Sequence, residues 1–152
     1  MQSAAARQTD CLQFVGALSL ERDIREGHET LRACFREMEE VLARPDFDST
    51  ALTTVRLKLA GLRLTRGPLI TRVAVALAGT VTNEEAAVLA ELRSSHQSLL
   101  QKATAHTGKW KIDMIASNWP QYRRETRDLM QKWRAKAERE QLLVCPLVRR
   151  CG

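Results

Sequence analysis

The stretch SNWPQYRRETRDLMQKWRAKAEREQLLV, residues 117–144, decides how this chain is expected to fold. Apolar residues return every three or four positions along it, which is the spacing of one face of an α-helix. That face consists of Tyr122, Thr126, Leu129, Trp133, Lys136, Glu140, Leu143 and Val144. The stretch therefore predicts a long amphipathic helix that turns a cation, Lys136, and an anion, Glu140, towards its apolar side.

The ends of this helix are also marked in the sequence. Ser117 or Asn118 can serve as the N-cap, because a short polar side chain can accept a hydrogen bond from a free amide of the first turn. Pro120 suits that first turn, where its missing N–H costs nothing. Pro146 is expected to end the helix.

Three earlier segments have the same helical period, and no segment alternates with the period of a strand. The first has the face Ile24, His28, Leu31, Phe35, Met38 and Leu42, and Pro45 ends it. The second, capped by Asp48 or Ser49, has the face Leu52, Val55, Leu59, Leu62, Arg66, Leu69 or Ile70, Val73 and Leu77. Its internal Gly67–Pro68 pair predicts a kink or a break.

The third segment begins at TNEE, where Thr82 and Glu85 have the spacing of a capping box. Its face consists of Val88 or Leu89, Leu92, His96, Leu99, Ala103 and His106, and Gly108 ends it. Residues 109–119 are expected to form a short helix or an ordered loop. Together the segments predict an all-α fold, an up-down-up-down four-helix bundle over residues 21–150 that follows a loose N-terminal arm, residues 1–20.

The composition is that of an ordinary soluble protein, with 44% hydrophobic and 28% charged residues. No apolar run approaches the roughly 18 residues of a membrane span, and the N-terminus lacks the charged and continuous apolar regions of a signal peptide. We therefore expect a cytoplasmic protein with no membrane partner. The arm could pack on its own bundle or on that of a second copy, which leaves a homodimer as an alternative.

The four cysteines form no CxxC pair and no zinc-ligand spacing. They are Cys11, Cys34, Cys145 and Cys151. Reduced structural thiols are the favoured interpretation, with a redox pair of Cys145 and Cys151 as the alternative. Cys34 could also form a nucleophile–base pair with His28, but a small apolar filler is favoured there, and we expect no enzymatic activity.

The net charge of +6 is concentrated near the end of the chain, where residues 122–150 contain nine Lys or Arg against four Asp or Glu. Such a face could attract nucleic acid or an acidic partner. However, the basic residues lie on an amphipathic helix without interleaved aromatic residues or a groove-reading motif. A solvated helix surface is the favoured interpretation, and we expect no nucleic-acid partner.

Every predicted helix interrupts its apolar face with an ionisable residue. These residues are His28, Arg66, His96, Lys136 and Glu140. One such residue means little, because Arg and Lys often extend from such positions to water. All four helices doing so is more informative, since facing helices of a bundle are where metal and cofactor sites are built.

The chain resembles the hemerythrin-like (HHE cation-binding) family, four-helix bundles that hold two irons between their helices. NWPQYRRETRDLM followed by RAKAEREQLLVCPL is similar to the family's closing pattern of Trp-x-x-Tyr-Arg, a ligand position, Glu four residues on, and an apolar-x-Pro end. VRLKLAGLRLTR resembles the family's second helix, and DIREGHETL resembles its first, which contains the ligand histidine. The resemblance covers roughly residues 24–148.

The resemblance places family ligands at His28, His96 and Glu140. The second helix's His-x-x-x-Glu pair falls on Arg66 and Ile70, and the histidine of the fourth helix's pair falls on Lys136. Two irons would then face two cations with a single carboxylate. Like charges about 5 Å apart repel by several kcal/mol at an effective dielectric of ~20. We therefore expect the di-iron centre to be lost, with Lys136, with or without Arg66, neutralising Glu140.

The resemblance and the replaced ligands leave three functions open. The first is a metal-free, non-catalytic binding or regulatory module for an unknown small molecule or protein partner, with no cofactor. The second is a retained iron or zinc site of His28, His96 and Glu140 that senses or handles O₂ or NO. The third is binding of nucleic acid or an acidic partner through the basic last helix. Trp110 and Trp119 close the end of the bundle, or mark a partner surface if they are exposed together.

Overall fold

The computed structural model describes the backbone of residues 4–150 and the side chains of residues 18–150. Within that range every regular element is a helix and there is no strand, as the sequence predicts. The elements are α1 (Ala4–Leu42), α2 (Ser49–Leu77), α3 (Asn83–Lys109), α4 (Ile112–Ser117) and α5 (Trp119–Arg150). Of the short helix and the ordered loop that were expected for residues 109–119, the structure contains the short helix, α4. None of the described helices has the length and apolar character needed to cross a bilayer.

The predicted helix starts are confirmed at two positions. The Asp48 side chain accepts a hydrogen bond from the Ala51 amide at 3.0 Å and caps α2. Thr82 and Glu85 form the expected capping box of α3. At α5 the Asn118 carbonyl accepts from the Tyr122 amide at 3.0 Å. The Asn118 side chain instead donates to the Met114 carbonyl of α4.

The predicted break at Gly67–Pro68 and the predicted helix end at Pro146 are wrong. α2 continues through Pro68 without a break, and α5 continues through Pro146 to Arg150. A proline removes the hydrogen bond to the carbonyl four residues earlier. Those residues, Leu64 and Leu142, are 79% and 75% exposed, so their carbonyls lie on turns that water can reach. The helix therefore tolerates both prolines.

The backbone of the expected arm is helical from residue 4 onwards, because α1 begins at Ala4. The segment AAARQTDCLQF is rich in residues that favour a helix and contains no glycine or proline. Of the apolar residues that were expected to pack the arm on a bundle, Leu20 is buried and Leu18 is exposed. The side chains that precede Leu18 lie outside the described part. The division into residues 1–20 and 21–150 stays a prediction.

The core is divided into two hydrophobic clusters, and all four long helices contribute to both. The larger cluster includes Leu31 and Phe35 of α1, Leu52 of α2, Leu99 of α3 and Trp133 of α5. The smaller cluster consists of Leu20, Ile24, Val73, Leu77, Leu92, Val144, Cys145 and Val148. α1 packs mainly on α2 and α5, and α3 packs mainly on α5. Each long helix passes from one cluster to the other, and its ionisable residue lies between them.

Candidate functional site

The five ionisable residues singled out in the sequence lie between the two core clusters, where they form what we term the charged layer. It consists of His28, Arg66, His96, Lys136 and Glu140, each of which is at most 9% exposed. The period of each helix explains this position, since each residue replaces an apolar residue on the buried face. The cations do not extend into solvent, although long side chains often do so.

Glu140 is the centre of this layer because its two carboxylate oxygens accept hydrogen bonds from three side chains. Oε1 accepts from the Lys136 ammonium one turn earlier on α5. Oε2 accepts from Nη2 of Arg66 at 2.7 Å and lies 3.1 Å from Nε2 of His28. The expected neutralisation of Glu140 by Lys136 thus includes Arg66, and α1, α2 and α5 meet at one carboxylate.

His28 is held from its other side by a contact that the sequence did not predict. Its Nδ1 lies 3.2 Å from Oε1 of Gln141, which also accepts from Nη2 of Arg32 at 3.2 Å. Gln141 directly follows Glu140, so one turn of α5 contacts both ring nitrogens of His28. This double contact fixes the orientation of the imidazole ring.

His96 occupies the layer without a hydrogen bond. Neither of its ring nitrogens has a partner in the described part of the chain, although the residue is only 4% exposed. Its ring meets that of Trp133 edge-on, with centroids 5.6 Å apart. Burial lowers the pKa of His96 to about 4, and the positive charge of Lys136 adds to this effect. His96 is therefore neutral at physiological pH.

The pKa of each partner reflects the same balance between burial and charge. Burial alone would raise the pKa of Glu140, but the hydrogen bond from His28 and the charges of Lys136 and Arg66 outweigh it and lower the pKa to about 2. Burial lowers the pKa of Lys136, and the neighbouring carboxylate of Glu140 offsets part of that shift. Glu140 is thus a firmly ionised carboxylate inside the protein.

Arg66 is only partly satisfied by Glu140. Its Nε and Nη1 are buried and have no hydrogen-bond partner in the described chain. Arg66 also lines two cavities, one of ≈ 70 Å³ on the side of the larger core cluster and one of ≈ 50 Å³ on the side of the smaller cluster. The half-buried Ile70, which the resemblance aligns with a family ligand, lines the smaller cavity. A buried, unsatisfied guanidinium between two cavities is a candidate for ligand contact.

The structure brings together four of the predicted site residues directly and places the fifth beside them. His28, Arg66 and Lys136 contact Glu140, whereas His96 makes no hydrogen bond to these residues and its ring meets Trp133. Among the described residues, no group of three or more His, Cys, Asp or Glu side chains is arranged to hold a metal ion.

The other candidate residues are placed as follows. Cys34 is buried, and burial raises the pKa of its thiol, unlike that of an activated nucleophile. Cys145 is buried as well, while Cys11 and Cys151 lie outside the described residues. Trp110 and Trp119 are 2% and 7% exposed, so they close the end of the core and do not mark a partner surface.

Four of the nine basic residues of α5 are paired with carboxylates of other helices. Arg139 contacts Glu91, and Arg127 contacts Glu39. Arg149 contacts Glu21 and Arg150 contacts Glu85 close to the C-terminal end. These pairs lower the positive charge that α5 presents to solvent, which favours the solvated-surface interpretation.

Comparison of the chain with protein-family models, with curated proteins and with solved structures found no match. What the charged layer does is therefore argued from its geometry.

Proposed function

We propose that this chain is a hemerythrin-like, up-down-up-down four-helix bundle that has lost the di-iron centre and acts as a non-catalytic binding module. The observation that carries the proposal is the contact of Glu140 with both Arg66 and Lys136, the two cations at replaced ligand positions. The positive charges of Arg66 and Lys136 replace the positive charge of the metal ions that the family binds.

The order of the core residues along the chain supports the alternating topology. α1 passes from the smaller cluster at Leu20 to the larger one at Leu42, and α2 passes back, from Leu52 to Leu77. α3 and α5 repeat this alternation, with Leu92 before Leu99 and Trp119 before Val148. Four helices that cross a common layer in alternating directions fit an antiparallel bundle.

The donor set does not fit two irons. Metal ions need free lone pairs on carboxylates and imidazoles, and here both Glu140 oxygens accept hydrogen bonds from protonated side chains. A metal would have to displace Arg66 or Lys136 from Glu140 and leave that cation beside it in a buried site. Repulsion between such charges is strongest where water is excluded.

Binding is favoured over catalysis because the acidic and basic groups of the layer are engaged with one another, except His96, whose pKa of about 4 makes it a weak base. Glu140 is engaged by three donors, and His28 contacts an oxygen through each ring nitrogen. The two cavities beside Arg66 offer space for a small molecule instead.

Metal analysis of protein purified without chelators, together with its visible spectrum, tests the proposal. We expect no stoichiometric iron and no visible absorption. The matched control is the triple variant Arg66→His, Ile70→Glu and Lys136→His, which restores the family's ligand pattern and should bind iron. Two irons per wild-type chain would overturn the proposal. One metal ion per chain that is lost in His28→Ala would overturn it in favour of the site of His28, His96 and Glu140.

A further inference from the structure

The larger cavity lies where all four long helices meet, on one side of the charged layer. Its volume is ≈ 70 Å³. Most of its wall is apolar and includes Phe35 of α1, Leu59 of α2, Ala103 of α3 and Trp133 of α5. Such a wall can receive the hydrocarbon part of a ligand.

The polar part of this wall is positively charged. Arg56, Arg63 and Arg66 of α2 all line the cavity, and none of its lining residues is a carboxylate. Arg63 and Arg66 are three positions apart on one helix, so they are neighbours on the same face. Of the three guanidinium groups, Arg66 pairs with Glu140 of the charged layer, whereas Arg56 and Arg63 have no ion pair with a described carboxylate.

The hydrogen bonds of the three arginines show which of their N–H groups can still donate to a ligand. Arg56 donates to two backbone carbonyls, those of Trp110 at 2.9 Å and Thr107 at 3.2 Å. Arg66 uses Nη2 for Glu140, and its buried Nε and Nη1 have no partner. Arg63 makes no ion pair with a described carboxylate, and burial, with Arg56 nearby, lowers the pKa of its guanidinium. Arg63 and the Nε and Nη1 of Arg66 thus have hydrogen-bonding capacity that the described side chains do not use.

We infer that this cavity binds a small organic monocarboxylate, held at its carboxylate end by Arg63 and Arg66 and at its hydrocarbon end by the apolar wall. The inference rests on the proposed function, since it names the ligand class of that binding module. A planar guanidinium can bind a carboxylate through two parallel hydrogen bonds. Arg63 is half-buried, so it stands where the cavity meets solvent, and Arg66 lies deeper.

The size of the cavity limits the ligand to a short chain. A cavity of about 150 Å³ holds benzene, and one water molecule occupies about 30 Å³ of the liquid. A volume of ≈ 70 Å³ is about half of the first value, so it accommodates only the three-carbon chain of butyrate and excludes a nucleotide. The carboxylate of butyrate then lies at the open mouth of the cavity.

Titration calorimetry of the metal-free protein with butyrate tests the inference, with butyramide as a neutral ligand of the same shape. We expect butyrate to bind and butyramide to bind at least ~10-fold more weakly, because the amide forfeits the charge-assisted hydrogen bonds. Arg63→Gln should weaken butyrate binding by ~10-fold or more. Arg124→Gln, which removes the same charge from an exposed position outside the cavity, should leave binding unchanged.

A second variant separates the cavity from a general attraction of anions. Ala103→Leu fills part of the cavity and leaves every arginine in place, so it should reduce butyrate binding while circular dichroism shows a folded protein. Absence of butyrate binding, equal loss in Arg63→Gln and Arg124→Gln, or equally tight binding of chloride and phosphate would each overturn the inference. A metal-free protein that binds no butyrate would overturn this inference alone, whereas two irons per chain would overturn the proposed function.

Discussion

Nη2 of Arg66 lies 2.7 Å from Oε2 of Glu140, which is 74 positions further along the chain, and both side chains are buried. This contact joins α2 to α5 in the interior. A buried ion pair adds little net stability compared with apolar residues of the same size, but removal of one partner leaves an uncompensated charge. The charged layer should therefore be sensitive to substitutions of single members.

Glu140→Gln should be the most damaging single substitution in the layer, because it leaves Arg66 and Lys136 as buried cations without an anion. We expect the free energy of unfolding to fall by about 3–5 kcal/mol. Urea denaturation of the variant and the wild type measures the difference. The matched control is Glu91→Gln, which removes a carboxylate that Arg139 contacts at an exposed position. A loss of similar size in the control would show that burial of Glu140 does not determine the effect.

Lys136→Met should partly compensate Glu140→Gln. The double variant leaves only Arg66 without its anion, whereas Glu140→Gln alone leaves two cations. We expect it to be more stable than the sum of the single effects predicts, by about 1–3 kcal/mol. A double-mutant cycle of unfolding free energies measures this coupling. The corresponding cycle at the exposed pair of Arg139 and Glu91 should be nearly additive, and additivity at both pairs would contradict the contact between Lys136 and Glu140.

Acid should destabilise the wild type more than Glu140→Gln. The pKa of Glu140 is about 2 in the folded protein, against an ordinary value of 4.5 in the unfolded chain. The unfolded state therefore binds a proton first, and the stabilisation by Glu140 is fully present above about pH 5 and is lost as the pH falls towards 2. The loss amounts to about 3 kcal/mol. Unfolding free energies measured from pH 6 to 3 should converge for the two proteins, and parallel curves would contradict the lowered pKa.

His96 should make the protein less stable between neutral pH and pH 4. Its pKa is about 4 when folded and 6.5 when unfolded, so the unfolded chain takes up a proton that the folded protein does not. The free energy of unfolding should decrease as the pH falls from about 7 to 4. Below that range, protonation of His96 should cause no further change. His96→Leu should have a flatter curve over that range. The carbon-bound ring protons of His96 in an NMR titration should report the midpoint, and one near 6.5 would refute the shift.

The burial of the site was predictable from helical period alone. The faces that the sequence defines for α1 and α5 are largely buried, and Lys136 and Glu140, one turn apart on a buried face, could be expected to contact each other. The contact from Arg66 to Glu140 depends on how two distant helices meet. Only the resemblance to a bundle family pointed to it.

The remaining features depend on details that helical period does not report. Gln141 lies beside the predicted face of α5, and its contacts with His28 and Arg32 depend on how α5 is rotated against α1. Arg63 follows Leu62 at the edge of the predicted face of α2. This position of Arg63 in the sequence was the sign that one wall of a cavity would be basic. Pro68 and Pro146 were expected to bend or end helices, because the exposure of the residues four positions earlier could not be seen in the sequence.

The single carboxylate at the centre of the layer has a consequence for how the helices align along their axes. Apolar contacts alone would permit α2 to slide along α5, since one leucine can replace another. A slide of one turn, about 5.4 Å, would carry Arg66 away from Glu140 and leave its buried guanidinium without an anion. The Arg66–Glu140 contact thus favours one register of α2 against α5 and disfavours the registers that are shifted by one turn.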